Sequence, residues 1–131
     1  MTVTDYNSCW ITRTVTITQP PAALSATTTQ VNVLCYGNST GSATVNASNG
    51  TSPYTYLWST IPSQAMATAT GLSAGTYTVT VSDYNSCWIT RTVTISQPSA
   101  ALSATTTQVN VLCYGNSTGS ATVNASNGTS P

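Results

Sequence analysis

Apolar and polar residues alternate with a period of two along most of this chain, and nothing recurs at helical spacing. In Gly41–Ser48, Ala43, Val45 and Ala47 fall on one face and Ser42, Thr44, Asn46 and Ser48 on the other. Thr76–Ser82 sets Tyr77, Val79 and Val81 against Thr76, Thr78 and Thr80. Cys87–Ser96 sets Cys87, Ile89, Val93 and Ile95 against Trp88, Thr90, Thr92 and Thr94. Tyr54–Ser59 places Tyr54, Tyr56 and Trp58 together, opposite Leu57. Leu24–Val33 and Ala65–Thr70 carry weaker forms of the same pattern. Each stretch predicts a short strand with one buried and one solvated face. Asn49-Gly50, Gly71 and Gly75 mark the expected turns, since Gly and Asn accept positive φ at little cost. Six or seven short strands in fewer than 80 residues predict an antiparallel sandwich with an apolar interior and a Thr exterior. Thr suits that exterior because it is β-branched and polar without being charged.

The same text is written nearly twice. Residues 2–53 and 80–131 coincide at an offset of 78, differing only at Thr4/Ser82, Thr18/Ser96 and Pro21/Ser99. Residues 54–78 occur once. The fold class expected is therefore all-β: tandem Ig-like β-sandwich repeats of 78 residues, one complete and two partial. Gln19-Pro20-Pro21 and its echo Gln97-Pro98-Ser99 punctuate the array, because proline donates nothing to a strand ladder. On that frame residues 1–21 are the last strands of a preceding repeat. Residues 22–98 are a complete repeat, and residues 99–131 the first part of the next. Met1 stands where the second copy has Val79, in mid-strand, so the N-terminus is expected to cut through a repeat.

Composition removes most chemistry. The chain holds two Lys+Arg, two Asp+Glu, no His and a formal net charge of +0, with 3% charged residues. It has 28 Thr and 18 Ser instead. No His, Lys or Glu is present to act as general base or imine former, so no catalytic residue is assigned and no cofactor is expected. Nothing can neutralise a run of phosphates, so a nucleic-acid partner is not expected. No apolar run is long enough for a helical membrane span. The 40% hydrophobic fraction is too high for a disordered stalk.

Several linked motifs, in order, carry a resemblance. CYGNSTGSATVNASNGTSPYTYLWS, then GLSAGTYTVTVSDYNSC, then TVTISQP resembles the SprB-type repeat of surface adhesins of gliding Bacteroidetes. The match runs over residues 35–98, and both partial copies follow it. Asn85-Ser86-Cys87 departs from the pattern, which favours Gly before Cys, and Trp88 is unusual. The resemblance implies a piece of a long, tandemly repeated, secreted cell-surface protein. It also implies that both cysteines of a repeat lie within it, so that Cys35 pairs with Cys87 while Cys9 and Cys113 pair with adjacent repeats. The residues alone leave a second arrangement open, Cys9–Cys35 with Cys87–Cys113. Spacings of 26, 52 and 26 lack the close ligand pairs of a zinc site. A staple across about 50 residues contributes roughly 4 kcal/mol in the chain-entropy model, and requires an oxidising, extracellular compartment.

Few other residues invite a specific role. Asp83 and Arg91 are the complete repeat's only charges, echoed as Asp5 and Arg13. Asp83 with Asn85 is too poor in carboxylates for calcium, so Asp83 is expected to shape a turn, with Arg91 as its available ionic partner, and no metal site is assigned. Tyr54, Tyr56 and Trp58 supply core bulk in a chain without Phe. Trp88 and its copy Trp10 suit either a sheet-covering or junction role, or a surface contact with polysaccharide. Thr90, Thr92 and Thr94 point the same way but fit a solvated sheet better than an ice lattice, since small sandwiches twist. Asn38-Ser39-Thr40, Asn46-Ala47-Ser48 and Asn49-Gly50-Thr51 match glycosylation sequons that arise easily by chance in so Asn/Ser/Thr-rich a chain. The expected partners are adjacent repeats of the same protein, including head-to-tail self-association through the unpaired edges of the partial copies.

Overall fold

The computed structural model describes residues 1–128 and contains no helix among them. Ten strands follow one another: β1 (Thr2–Thr4), β2 (Trp10–Thr12), β3 (Ser25–Val31), β4 (Gly41–Ser48), β5 (Thr55–Trp58), β6 (Thr68–Leu72), β7 (Gly75–Ser82), β8 (Trp88–Ile95), β9 (Ser103–Val109) and β10 (Ser120–Ser126). Strands β3–β8 make two antiparallel three-stranded sheets, ordered β3-β4-β6 and β5-β7-β8. The remaining four form two separate hairpins, β1-β2 and β9-β10, whose strand residues are all exposed.

One core lies between the two sheets. Ala43 and Val45 of β4 meet Val79 and Val81 of β7 and Val93 and Ile95 of β8, with Trp58, Ala69 and Leu72 filling the remainder. Trp58 is 1% exposed and is the largest fully buried side chain. Its indole Nε1 donates to the Met66 carbonyl at 2.9 Å, so burial leaves no polar atom unpaired there. Tyr54 and Tyr56 pack against the same core, half-buried. The alternation read along β4, β7 and β8 is thus the alternation of the sandwich.

Three details depart from the linear reading. The strand expected at Ala65–Thr70 begins later, at Thr68, because residues 64–67 are otherwise engaged. The Gln64 carbonyl accepts the Trp58 amide, and the Ala67 carbonyl accepts the Val45 amide. Gly71 is not a turn but a bulge inside β6. Its φ is +69°, and the β4–β6 register slips there, pairing Ser42 with Thr70 and Gly41 with Leu72. Cys87 does not share the inward face of Ile89 and Val93. It lies just before β8 and is exposed.

The register gives the sandwich two ends. At the leading end, Ser25 pairs with Ser48 and Ser82 with Trp88. At the trailing end, Val31 pairs with Ser42 and Gly75 with Ile95. The first strand therefore enters at one end and the last strand leaves at the other.

Candidate functional site

The candidate sites are the two ends and the outer faces of the sandwich. At the leading end, Asp83 organises the connection between β7 and β8. Its Oδ1 accepts the amides of Asn85 at 3.0 Å and Cys87 at 2.9 Å, and its Oδ2 accepts that of Thr51 at 3.1 Å. The Asp83 amide in turn donates to the Cys87 carbonyl at 2.9 Å. Three backbone donors suit a carboxylate. The Thr51 amide above all, with those of Cys87 and Asn85, holds Asp83 below the usual value of 3.8, against the opposing effect of burial. Ser86 closes the turn at φ +65°. Asp5, the earlier copy, repeats the pattern, with Oδ1 accepting from Asn7 and Cys9 and Ser8 at φ +66°.

The ionic partnership expected between Asp83 and Arg91 is not formed. Arg91 sits at the rim where β8 adjoins β3, and its guanidinium satisfies carbonyls instead. Nε donates to Ala26 at 2.8 Å and Nη1 to Thr90 at 2.9 Å. The Ala26 bond joins the two sheets. This explains why a guanidinium occupies the inward parity of its strand: at the sheet edge it can reach an unpaired backbone acceptor.

The trailing end is tied by side chains that the linear reading treated as punctuation. Gln97 Oε1 accepts the Gly37 amide at 2.8 Å, and Asn32 Oδ1 accepts the Ser96 amide at 3.0 Å. The Val33 amide donates to the Ser96 carbonyl at 2.9 Å. Recurrence of Gln before Pro, at 19 and 97, was the available signal that this glutamine has a task.

These bonds decide the cysteine question. Cys35 lies at the trailing end beside Ser96 and Gln97, whereas Cys87 precedes the first residue of β8 at the leading end. The eight residues of β8 separate them by about 25 Å. A disulfide needs Cα atoms within about 7 Å. The expected Cys35–Cys87 pair is therefore not formed, and neither is Cys9–Cys35 with Cys87–Cys113. All four cysteines are free and exposed.

A shallow cleft occupies each end. The leading cleft is walled by Gln19 and Pro20, the Ala22–Leu24 run, the Asn49-Gly50 turn, and Asp83 with Cys87. The trailing cleft is walled by Leu34, Cys35 and Tyr36, then Pro98, the Ala100–Leu102 run and the Asn127-Gly128 turn. Gly50 is needed for contact here: a Cβ would lie 2.7 Å from Leu24 Cδ1 and 3.1 Å from Asp83 Cβ.

On the outer faces, threonines pair across strands. Thr76 and Thr94 hydroxyls meet at 3.3 Å, and those of Thr44 and Thr68 at 3.0 Å. Trp88 is 67% exposed and Trp10 is 70% exposed, at equivalent positions of two repeats. Among the described residues no helix is long and apolar enough to cross a membrane.

Comparison with known proteins adds one finding. The family model of the SprB repeat matches residues 27–62 and again residues 105–131. Neither curated proteins nor solved structures yield a match. The two segments lie one period apart, and each begins inside the first strand of its unit, β3 or β9. The SprB repeat is a structural repeat module of adhesin-like surface proteins, and it is this module that the chain resembles at both segments.

Proposed function

We propose that the chain is a non-catalytic spacer from a long, secreted cell-surface adhesin or filament, of the kind used for gliding or attachment. The observation that carries this reading is polarity: the complete unit takes in its chain at one end and releases it at the other. Units so built, joined by short Gln-Pro links, extend as a string instead of folding back on one another. The chemistry agrees. One Arg and one Asp per unit leave neighbouring units without mutual repulsion and give trypsin-like proteases little to cut. Without lysine, isopeptide cross-links are unavailable as a way to toughen the string.

Small-angle scattering on chains lengthened by successive 78-residue periods tests the reading. The maximum dimension should grow by about 30–40 Å per period, the length of eight-residue strands at 3.3 Å per residue plus their turns. A dimension that levels off as periods are added would refute it.

The exposure of Trp88 and Trp10 at equivalent places favours a second reading, a polysaccharide-binding surface repeated for avidity. Its test is retention on immobilised polysaccharide. Trp88→Ala with Trp10→Ala should abolish retention, and unchanged retention removes these residues as the contact.

A further inference from the structure

The two end clefts are the two halves of a single kind of junction. Each contains the same leading-end wall: an Ala-Ala-Leu run facing an Asn-Gly turn, at Ala22–Leu24 with Asn49-Gly50 in one and one period later in the other. The leading cleft adds Cys87 to that wall. The trailing cleft adds Cys35, contributed by the unit before it. Overlaying the common wall brings the two cysteines into one cleft. We propose that successive repeats are joined by a disulfide between Cys35 of one repeat and the counterpart of Cys87 in the next, one 78-residue period beyond Cys87 itself.

Within 131 residues neither junction holds both partners. In the 78-residue register, the Cys35 counterpart that would face Cys87 and the Cys87 counterpart that would face Cys35 both fall outside residues 1–131. The complete unit carries two cysteines and each partial unit one, and all four are free. Both thiols are exposed, and both sit on backbone already held. The Cys87 amide and carbonyl are engaged by Asp83. The Cys35 carbonyl accepts the Asn38 amide at 3.2 Å, with Gly37 tied to Gln97. The bond forms by thiol–disulfide exchange. One thiolate attacks a small-molecule or protein disulfide, the second thiolate displaces it, and the oxidant leaves as two thiols carrying both protons and both electrons. Each junction is then crossed twice, by the Gln-Pro peptide and by the disulfide, which restrains bending and swivelling between units.

The proposal rests on the end-to-end arrangement of the spacer reading and is tested on a longer chain. Residues 1–131 are retained and continued with one further period, residues 54–131 again, giving six cysteines. The dilute protein is oxidised with oxidised glutathione, unfolded and alkylated, and its thiols are counted by mass spectrometry. One disulfide and four thiols are expected. Cys35→Ser should leave all five remaining cysteines as thiols, while Cys87→Ser should keep the disulfide and leave three. Six thiols, or two disulfides from pairing within each repeat, would overturn the proposal. Scattering on the same protein separates the two ideas: an extended particle with six thiols retains the spacer and removes the disulfide.

Discussion

Ser86 shows how one residue's backbone exposes a local compromise. Its φ of +65° lies where a β-carbon crowds the following carbonyl, and Ser8 repeats it at +66°. The SprB-type pattern favours Gly before this cysteine, and the turn supplies the reason. Ser86→Gly should raise stability by about 1 kcal/mol, read as a higher denaturation midpoint. Asp83 stands three residues earlier with both carboxylate oxygens occupied by amides. Its pKa is lower folded than unfolded, so its contribution is complete above the unfolded value near 3.8. As pH falls below that value the unfolded chain takes up the proton first, and stability is lost until pH passes the lower folded value. Denaturation midpoints should therefore fall on acidification below about pH 4, and Asp83→Asn should lower the midpoint at neutral pH while shrinking the acid-dependent part. That Asp83 shapes a turn was legible from Asp-Tyr-Asn-Ser. Its bond to the Thr51 amide was not, because 32 residues separate the partners.

Among the elements, β4 is the strand whose sequence and structure agree most closely, with Gly41–Ser48 serving as both expected and observed bounds. It is central in its sheet and one face is buried, so a register slip of one residue would bury Ser and Thr and expose Val45. Where β4 begins, the backbone of β6 comes so close that only glycine fits. A Cβ on Gly41 would stand 2.8 Å from the Leu72 carbonyl oxygen and 2.7 Å from Ile95 Cγ2. Gly41→Ala should cost about 1–3 kcal/mol in denaturant unfolding, since a backbone neighbour cannot swing aside as a side chain can. β6 is the contrary case. Its alternation is weak and its bulge at Gly71 shifts parity partway, so a period-two reading slides off its true bounds. The loop before it obeys Trp58, whose amide and indole N–H donate to the carbonyls of Gln64 and Met66.

For the whole molecule, the difference between six strands and two matters most. The sandwich of β3–β8 has a closed core, whereas β1-β2 and β9-β10 are hairpins with every strand residue exposed. Isolated two-stranded hairpins are marginal in water. Amide hydrogen exchange should accordingly be fast throughout β9 and β10 and slow in β4 and β7, although β10 and β4 share the sequence SATVNAS. Equal protection in the two copies would mean that something covers the hairpins, and an accompanying rise in mass would identify head-to-tail association. The identical sequence makes the comparison direct, because only burial differs.

The sequence by itself determined the period of 78, the all-β class, the inward faces of β4, β7 and β8, and the poverty of charge. These follow from local alternation and from counting, which require no knowledge of what meets what. Only the tertiary structure decided that Cys35 and Cys87 lie at opposite ends, that Arg91 bonds Ala26 and not Asp83, and that Gly71 is a bulge. Each of these depends on register and direction between strands distant in the chain. The family resemblance implied a staple within the repeat because both cysteines lie inside one period, and spacing along the chain carries no direction that would contradict it. Once β8 is laid along the length of the sandwich, they stand at its opposite ends.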